Sequence, residues 1–158
     1  MEKIIVFFGP SGSGKGEARK HVLSAFSSQL EFSVSDANRG TPKSEIYRIW
    51  DLGKTPVLDV DIYGAQSVKT IFPEETFRIF LKPVSWDLWY EKLSQRHLKD
   101  GGSLADLDFI QRIMKASPEA RLAEKFGYEV RVINHYNDFF FNEVENVVYR
   151  FIGAPLFR

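Results

Sequence analysis

The 158-residue sequence contains no cysteine, which excludes disulfides, thiolate metal sites and a cysteine nucleophile. That absence accords with a reducing compartment, and a cytoplasmic location is the expectation. There is no excess of either charge: 21 Lys and Arg balance 21 Asp and Glu. No summed field therefore draws in a polyanion, and a nucleic-acid partner is not expected. No apolar run approaches the roughly 18 residues of a membrane span, so no membrane partner is expected either. The three histidines, at 21, 97 and 135, have no spacing that builds a metal site. They read as solvated or packed side chains. Internal repeats, low-complexity tracts and long linkers are also missing.

What is present is an ordinary globular composition, 44% hydrophobic and 27% charged, in a chain of the length of one domain. Met1-Glu2-Lys3 runs directly into the apolar stretch Ile4 to Phe8, too short for a signal peptide's apolar region and read as a first buried strand. Strands are expected at 3–8, 31–35, 56–61, 77–82 and 128–134, with helical spacing between them. Alternation of this kind predicts an α/β fold, a five-stranded, mostly parallel sheet flanked by helices. One helix is expected over about 16–28, with Ala18, Val22, Ala25 and Phe26 on one face. Another begins after Ser85, a plausible N-cap, and carries Trp86, Trp89, Tyr90 and Leu93 as a stripe that is either core or a ligand platform. Lys99 to Ser103 is a polar, glycine-containing hinge. The next helix bears Phe109, Ile110, Ile113 and Met114, and Pro118 is expected to kink or restart it. A last helix from about Asp138 offers Phe140, Phe141, Val144, Val148 and Phe151 to the sheet. The Phe139 to Phe141 cluster either packs on the last strand or contacts a second copy in a homo-oligomer.

Gly9-Pro10-Ser11-Gly12-Ser13-Gly14-Lys15 fits G-x-x-x-x-G-K between a hydrophobic strand and a helix, which is the context its mechanism needs. The glycines let successive N–H groups turn inward around a phosphate. The helix beginning near Gly16 adds the positive end of its dipole, and Lys15 adds an ammonium. A triphosphate matches that cage best. The hydroxyl that normally follows the lysine and touches Mg²⁺ is replaced by Gly16, and Glu17 comes next.

Three linked motifs, Phe8 to Lys15, Phe32-Ser33-Val34-Ser35, and Leu58-Asp59-Val60-Asp61-Ile62-Tyr63-Gly64-Ala65-Gln66, resemble those of guanylate kinases in the same order. The resemblance continues through Ile79 to Pro83, Arg96, Ile110-Gln111-Arg112 and Val132-Ile133-Asn134, and so covers nearly the whole chain. It implies a P-loop NTPase fold of the nucleoside-monophosphate kinase type, in a single domain over 1–158 with a lid region at 96–112. It also implies ATP and Mg²⁺ as cofactors and small-molecule nucleotides as substrates. On this likeness, Gly9 to Gly16 bind the donor phosphates and Lys15 acts in catalysis. Arg39 holds the acceptor phosphate, Arg96 and Arg112 are lid arginines, and Asn134 lies near the adenine. Asp59 and Asp61 become metal candidates, or one of them caps the following helix.

The acceptor side departs from the family. Where guanylate kinases read Thr-Thr-Arg-x-x-Arg and then build a β-rich lobe, only 22 residues separate Ser35 from Leu58. Arg39 matches the first phosphate-binding arginine, and nothing strictly matches the second, although Lys43 is close. Residues 36–57 thus read as a truncated acceptor region with one short helix at 44–51. The expected activity is transfer of the γ-phosphoryl group of ATP to a nucleoside monophosphate, GMP or dGMP. The alternatives are an inactive protein-interaction module of the same fold and a P-loop kinase for a smaller acceptor.

Overall fold

The computed structural model describes residues 2–34 and 40–153. Five strands, β1 (Ile4–Phe8), β2 (Leu30–Phe32), β3 (Thr55–Val60), β4 (Thr76–Pro83) and β5 (Val130–Asn134), form one sheet in the order β2-β3-β1-β4-β5. Every pairing is parallel. Six helices accompany them: α1 (Lys15–Ala25), α2 (Lys43–Asp51), α3 (Ile62–Ile71), α4 (Trp86–Lys99), α5 (Leu107–Phe126) and α6 (Asp138–Ile152). All five expected strands form, with ends shifted by at most three residues.

The continuous apolar run of β1 follows from burial on both faces, since all five of its residues are at most 1% exposed. The two-residue period then divides them. Ile5 and Phe7 pack with Ala18, Val22, Phe140, Val144 and Val148, the inner faces of α1 and α6. Ile4, Val6 and Phe8 turn to the opposite side, against Ile46, Ile62, Ala65, Ala120 and Ala123 from α2, α3 and α5. A third, smaller cluster of Trp89, Leu93, Phe109 and Ala116 joins α4 to α5, with Ile113 and Tyr136 against it.

Several helix ends are chemically determined. Ser85 caps α4 by accepting from the Leu88 N–H, and Asn137 caps α6 by accepting from the Phe139 N–H. Of the kink or restart expected at Pro118, the restart does not occur: α5 continues through it. The carbonyl that loses a partner there is that of Met114, and both Met114 and Pro118 are exposed, so water can take the place of the missing N–H. The aromatic stripe also divides. Trp89 and Leu93 are buried, whereas Trp86 and Tyr90 are roughly two-fifths exposed. Phe140 packs in the core with Phe141 against it, while Phe139 is exposed.

Order and direction of the strands place the site. The chain leaves β1 toward β2 on one side and leaves β4 toward β5 on the other, which opens a crevice at the carboxyl ends of these two neighbours. The glycine-rich loop lies there. No described helix is long and apolar enough to cross a membrane.

Candidate functional site

The loop from Gly9 to Gly14 joins β1 to α1, and Gly14 is the helix N-cap, with a left-handed φ of 99° and no capping side chain. The first N–H groups of α1 lack intrahelical partners by geometry, and no side chain caps them. A Cβ at Gly14 would come within 2.7 Å of Asn134 Nδ2 and 3.0 Å of the Phe140 ring, so only glycine fits.

The opposite sides of the loop's peptide planes are held in turn. Trp89 Nε1–H donates to the Ser11 carbonyl at 2.7 Å. The Tyr136 hydroxyl donates to the Gly12 carbonyl at 2.9 Å. Asn134 Nδ2 donates to the Ser13 carbonyl at 3.0 Å. Burial pushes the Tyr136 hydroxyl up to about 12, so it remains a donor throughout the neutral range.

Lys15 lies mostly buried with its Nζ donating to the Gly9 carbonyl at 2.8 Å. Burial lowers its pKa from the ordinary lysine value, and the carboxylates of Glu119, Asp59 and Asp61 act in the opposite direction. Glu119, on α5, is itself pushed up by burial and held back by Lys15. The ammonium therefore sits in the field of three carboxylates near the helix N-terminus.

The two aspartates at the end of β3 are already engaged. Asp59 accepts from Arg19 Nη1 at 2.8 Å, and that guanidinium stacks over Phe32 at 4.3 Å. Asp61 caps α3, its Oδ1 accepting from the Gly64 N–H at 2.8 Å. Among the described residues no three His, Cys, Asp or Glu side chains gather as a metal site. Two carboxylates without a loop hydroxyl suit Mg²⁺ only when phosphate oxygens and water complete its shell, the usual arrangement for that ion. The capping role of Asp61 can be separated from the metal role expected of it from the sequence. Asp61→Asn keeps an acceptor for Gly64, and Asp61→Ala removes it at a cost of about 1 kcal/mol. Thermal denaturation should register only the alanine variant; a metal role would show as lower Mg²⁺-dependent turnover in both, and its absence would leave Asp61 a cap alone.

A cavity of about 380 Å³ opens beside the loop, lined by Gly12, Gly14, Leu93, Arg96, Tyr136 and Phe140, among others. Arg96 reaches its rim from α4, with Nη1 3.7 Å from the Glu17 carboxylate. Arg112 is not brought to the loop: it is exposed and pairs at 4.0 Å with Asp108 on its own helix. Arg39 lies outside the described residues. Asn134 is buried, with Nδ2 on the loop and Oδ1 accepting from the Tyr136 N–H at 2.7 Å. Its amide therefore braces the loop, and the residue also lines the cavity beside it. His21 pairs with Glu145 and His97 with Asp106, as packed histidines do. Sequence reasoning missed Tyr136, Glu119 and Arg19. Tyr136 follows a strand with no periodic signal, and Glu119 and Arg19 read as solvated helix positions.

This parallel sheet, with a phosphate-type loop after its first strand and a lysine at the helix start, defines a P-loop kinase. The chain is 30% identical over 172 residues to a guanylate kinase of Clostridium tetani (strain Massachusetts / E88), a match covering 82% of this chain and 79% of that one. It belongs to the guanylate kinase family. A crystal structure of guanylate kinase from Anaplasma phagocytophilum superimposes with a TM-score of 0.62 at 16% identity, covering 98% of this chain and 88% of that one. The SH3-kinase fragment of tight junction protein 3 gives 0.68 at 14% identity, covering 94% of this chain and 57% of that one. These two likenesses concern the fold. No protein-family model matches the chain.

Proposed function

We propose that the chain transfers the γ-phosphoryl group of ATP to GMP or dGMP. The observation that carries this reading is the phosphate loop itself. Its successive carbonyls at Ser11, Gly12 and Ser13 are each bonded on one side, and Lys15 stands at an uncapped helix N-terminus. Family membership supports the reaction.

Lys15 and the amides of Gly12, Gly14, Lys15 and Gly16 would hold the β and γ phosphates, with Gly9, Pro10 and Ser11 forming the approach and the Ser13 N–H closing the turn on the Pro10 carbonyl. The adjoining cavity, part apolar through Leu93 and Phe140, suits the donor nucleoside. Arg96 would leave Glu17 for the transferring phosphoryl group, Arg112 would close from the lid, and Arg39 would hold the acceptor phosphate. Asp59 and Asp61 would hold Mg²⁺, which when bound neutralises phosphate charge. Position and electrostatics suffice for this chemistry, so the lack of a nucleophilic cysteine is no obstacle. The interaction-module reading is not favoured, because it leaves the loop and its three side-chain braces without a use.

An ADP-release assay with Mg²⁺-ATP and a panel of nucleoside monophosphates tests the proposal. Turnover with GMP or dGMP well above that with AMP, CMP and UMP is expected; no turnover with any guanine nucleotide would refute it.

A further inference from the structure

Two of the three braces on the phosphate loop come from the lid side of the molecule. Trp89 belongs to α4 and Tyr136 to the turn after β5, and both join the small cluster formed with Leu93, Phe109, Ile113 and Ala116. The cluster lies apart from the two cores that cover the sheet. Its two polar tips, an indole N–H and a phenol O–H, both end on the loop, on consecutive carbonyls. Buried Trp and Tyr tips need partners, and here Trp89 holds the carbonyl of the peptide that carries the Gly12 N–H, while Tyr136 holds that of the peptide whose Ser13 N–H donates to the Pro10 carbonyl at 3.0 Å.

The geometry is held tightly. Tyr136 is the one non-glycine residue with a positive φ among the described residues, at 58°. Asn134 Oδ1 accepts from its N–H at 2.7 Å. An uncommon backbone conformation of this kind persists where its surroundings over-determine it, and it clusters at functional sites. Trp89 is equally constrained, 4% exposed and in edge contact with Trp86. A Cβ on Gly12 would lie 3.2 Å from its Nε1, so indole and loop are already in contact.

We propose that Trp89 and Tyr136 are positioning residues for phosphoryl transfer: Trp89 fixes the Ser11–Gly12 peptide plane so that the Gly12 amide faces the donor phosphates, and Tyr136 fixes the Gly12–Ser13 plane, whose N–H closes the loop's turn on the Pro10 carbonyl. Both couple the loop to the cluster between α4 and α5. This rests on the kinase reading above. Neither side chain touches the reacting atoms; each acts through a carbonyl. The loop is therefore tied to the cluster that joins α4 to α5, and the polar segment Lys99 to Ser103 lies beyond the point of attachment.

Trp89→Phe and Tyr136→Phe keep an aromatic ring and remove one donor each. Each should raise KM for ATP and the Kd for inorganic triphosphate, a probe without a base, by about 3–10-fold, the value of one hydrogen bond. The double variant should lose more, and KM for GMP should stay within about twofold of wild type. A role confined to stability would lower the melting temperature and leave the ratio of the two KM values unchanged. Should Trp89→Phe fail to fold, Tyr136→Phe carries the test alone. Variants that bind inorganic triphosphate as wild type does overturn the positioning role and leave the kinase reading standing. A wild-type chain that binds neither ATP nor triphosphate overturns both.

Discussion

Lys15→Ala is expected to lower kcat/KM for ATP by about 10³-fold or more, the scale seen when one preorganised charge-stabilising donor is removed from an active site. The ammonium lies at the N-terminus of α1, bonded to the Gly9 carbonyl and within the field of Glu119, Asp59 and Asp61. Its removal takes one positive charge from that field while Arg19 stays on Asp59, and an incoming triphosphate would lose its ammonium partner. The fold should tolerate the change. Burial already disfavours the charged lysine, so losing it relieves a desolvation penalty while deleting one hydrogen bond, and the two effects oppose each other. Steady-state kinetics and thermal denaturation on the same variant check both halves: activity should collapse, and the melting temperature should move little.

Gly9→Ala should have a large effect of the opposite kind, on the fold before the chemistry. Gly9 has φ near 153°, and a Cβ there would stand 2.3 Å from the Leu81 carbonyl oxygen of β4 and 2.8 Å from Ser13 Oγ. The first of these is backbone in the middle of the sheet and cannot rotate away. Over-packing and backbone strain together should cost about 3 kcal/mol or more, or about 6–12 °C in melting temperature for a chain of this size. Because the clash would push β1 from β4 at the point where the loop begins, residual folded protein should also bind ATP weakly. A melting temperature within 2 °C of wild type, on the order of the measurement's own scatter, would contradict this packing.

Much of this was legible before any coordinates. The strand-loop-helix context of Gly9 to Lys15 is local: an apolar run, three glycines and a lysine dictate a turn, exposed N–H groups and a positive end within a dozen residues. The strands at 55–60, 76–83 and 130–134 were legible for the same reason, through β-branched and aromatic runs between polar segments. The family likeness added the order of motifs.

What escaped the sequence depends on tertiary contact. Trp89 and Trp86 are three residues apart on one helix, yet only Trp89 reaches the loop; the spacing fixes a shared stripe and cannot say where its partner ends. Asn134 sits at the end of a strand beside the site, as expected, but the loop is close enough to occupy its amide. Asp61 chose the capping role that its position before a helix allows, and Asp59 found Arg19 forty residues away. Pro118 shows the converse. A rule about helix interiors gave way because the affected turn is on the solvent side.

The central claim is that main-chain amides at the junction of β1 and α1 form the anion cradle for the donor nucleotide, and amide-resolved NMR titration with Mg²⁺-ATP reports on it directly. The account predicts that the N–H resonances of Gly12, Gly14, Lys15 and Gly16 shift most, saturate together, and respond in the same sense to inorganic triphosphate. Saturating nucleotide that leaves these four amides unmoved, or that perturbs a different region first, would contradict it.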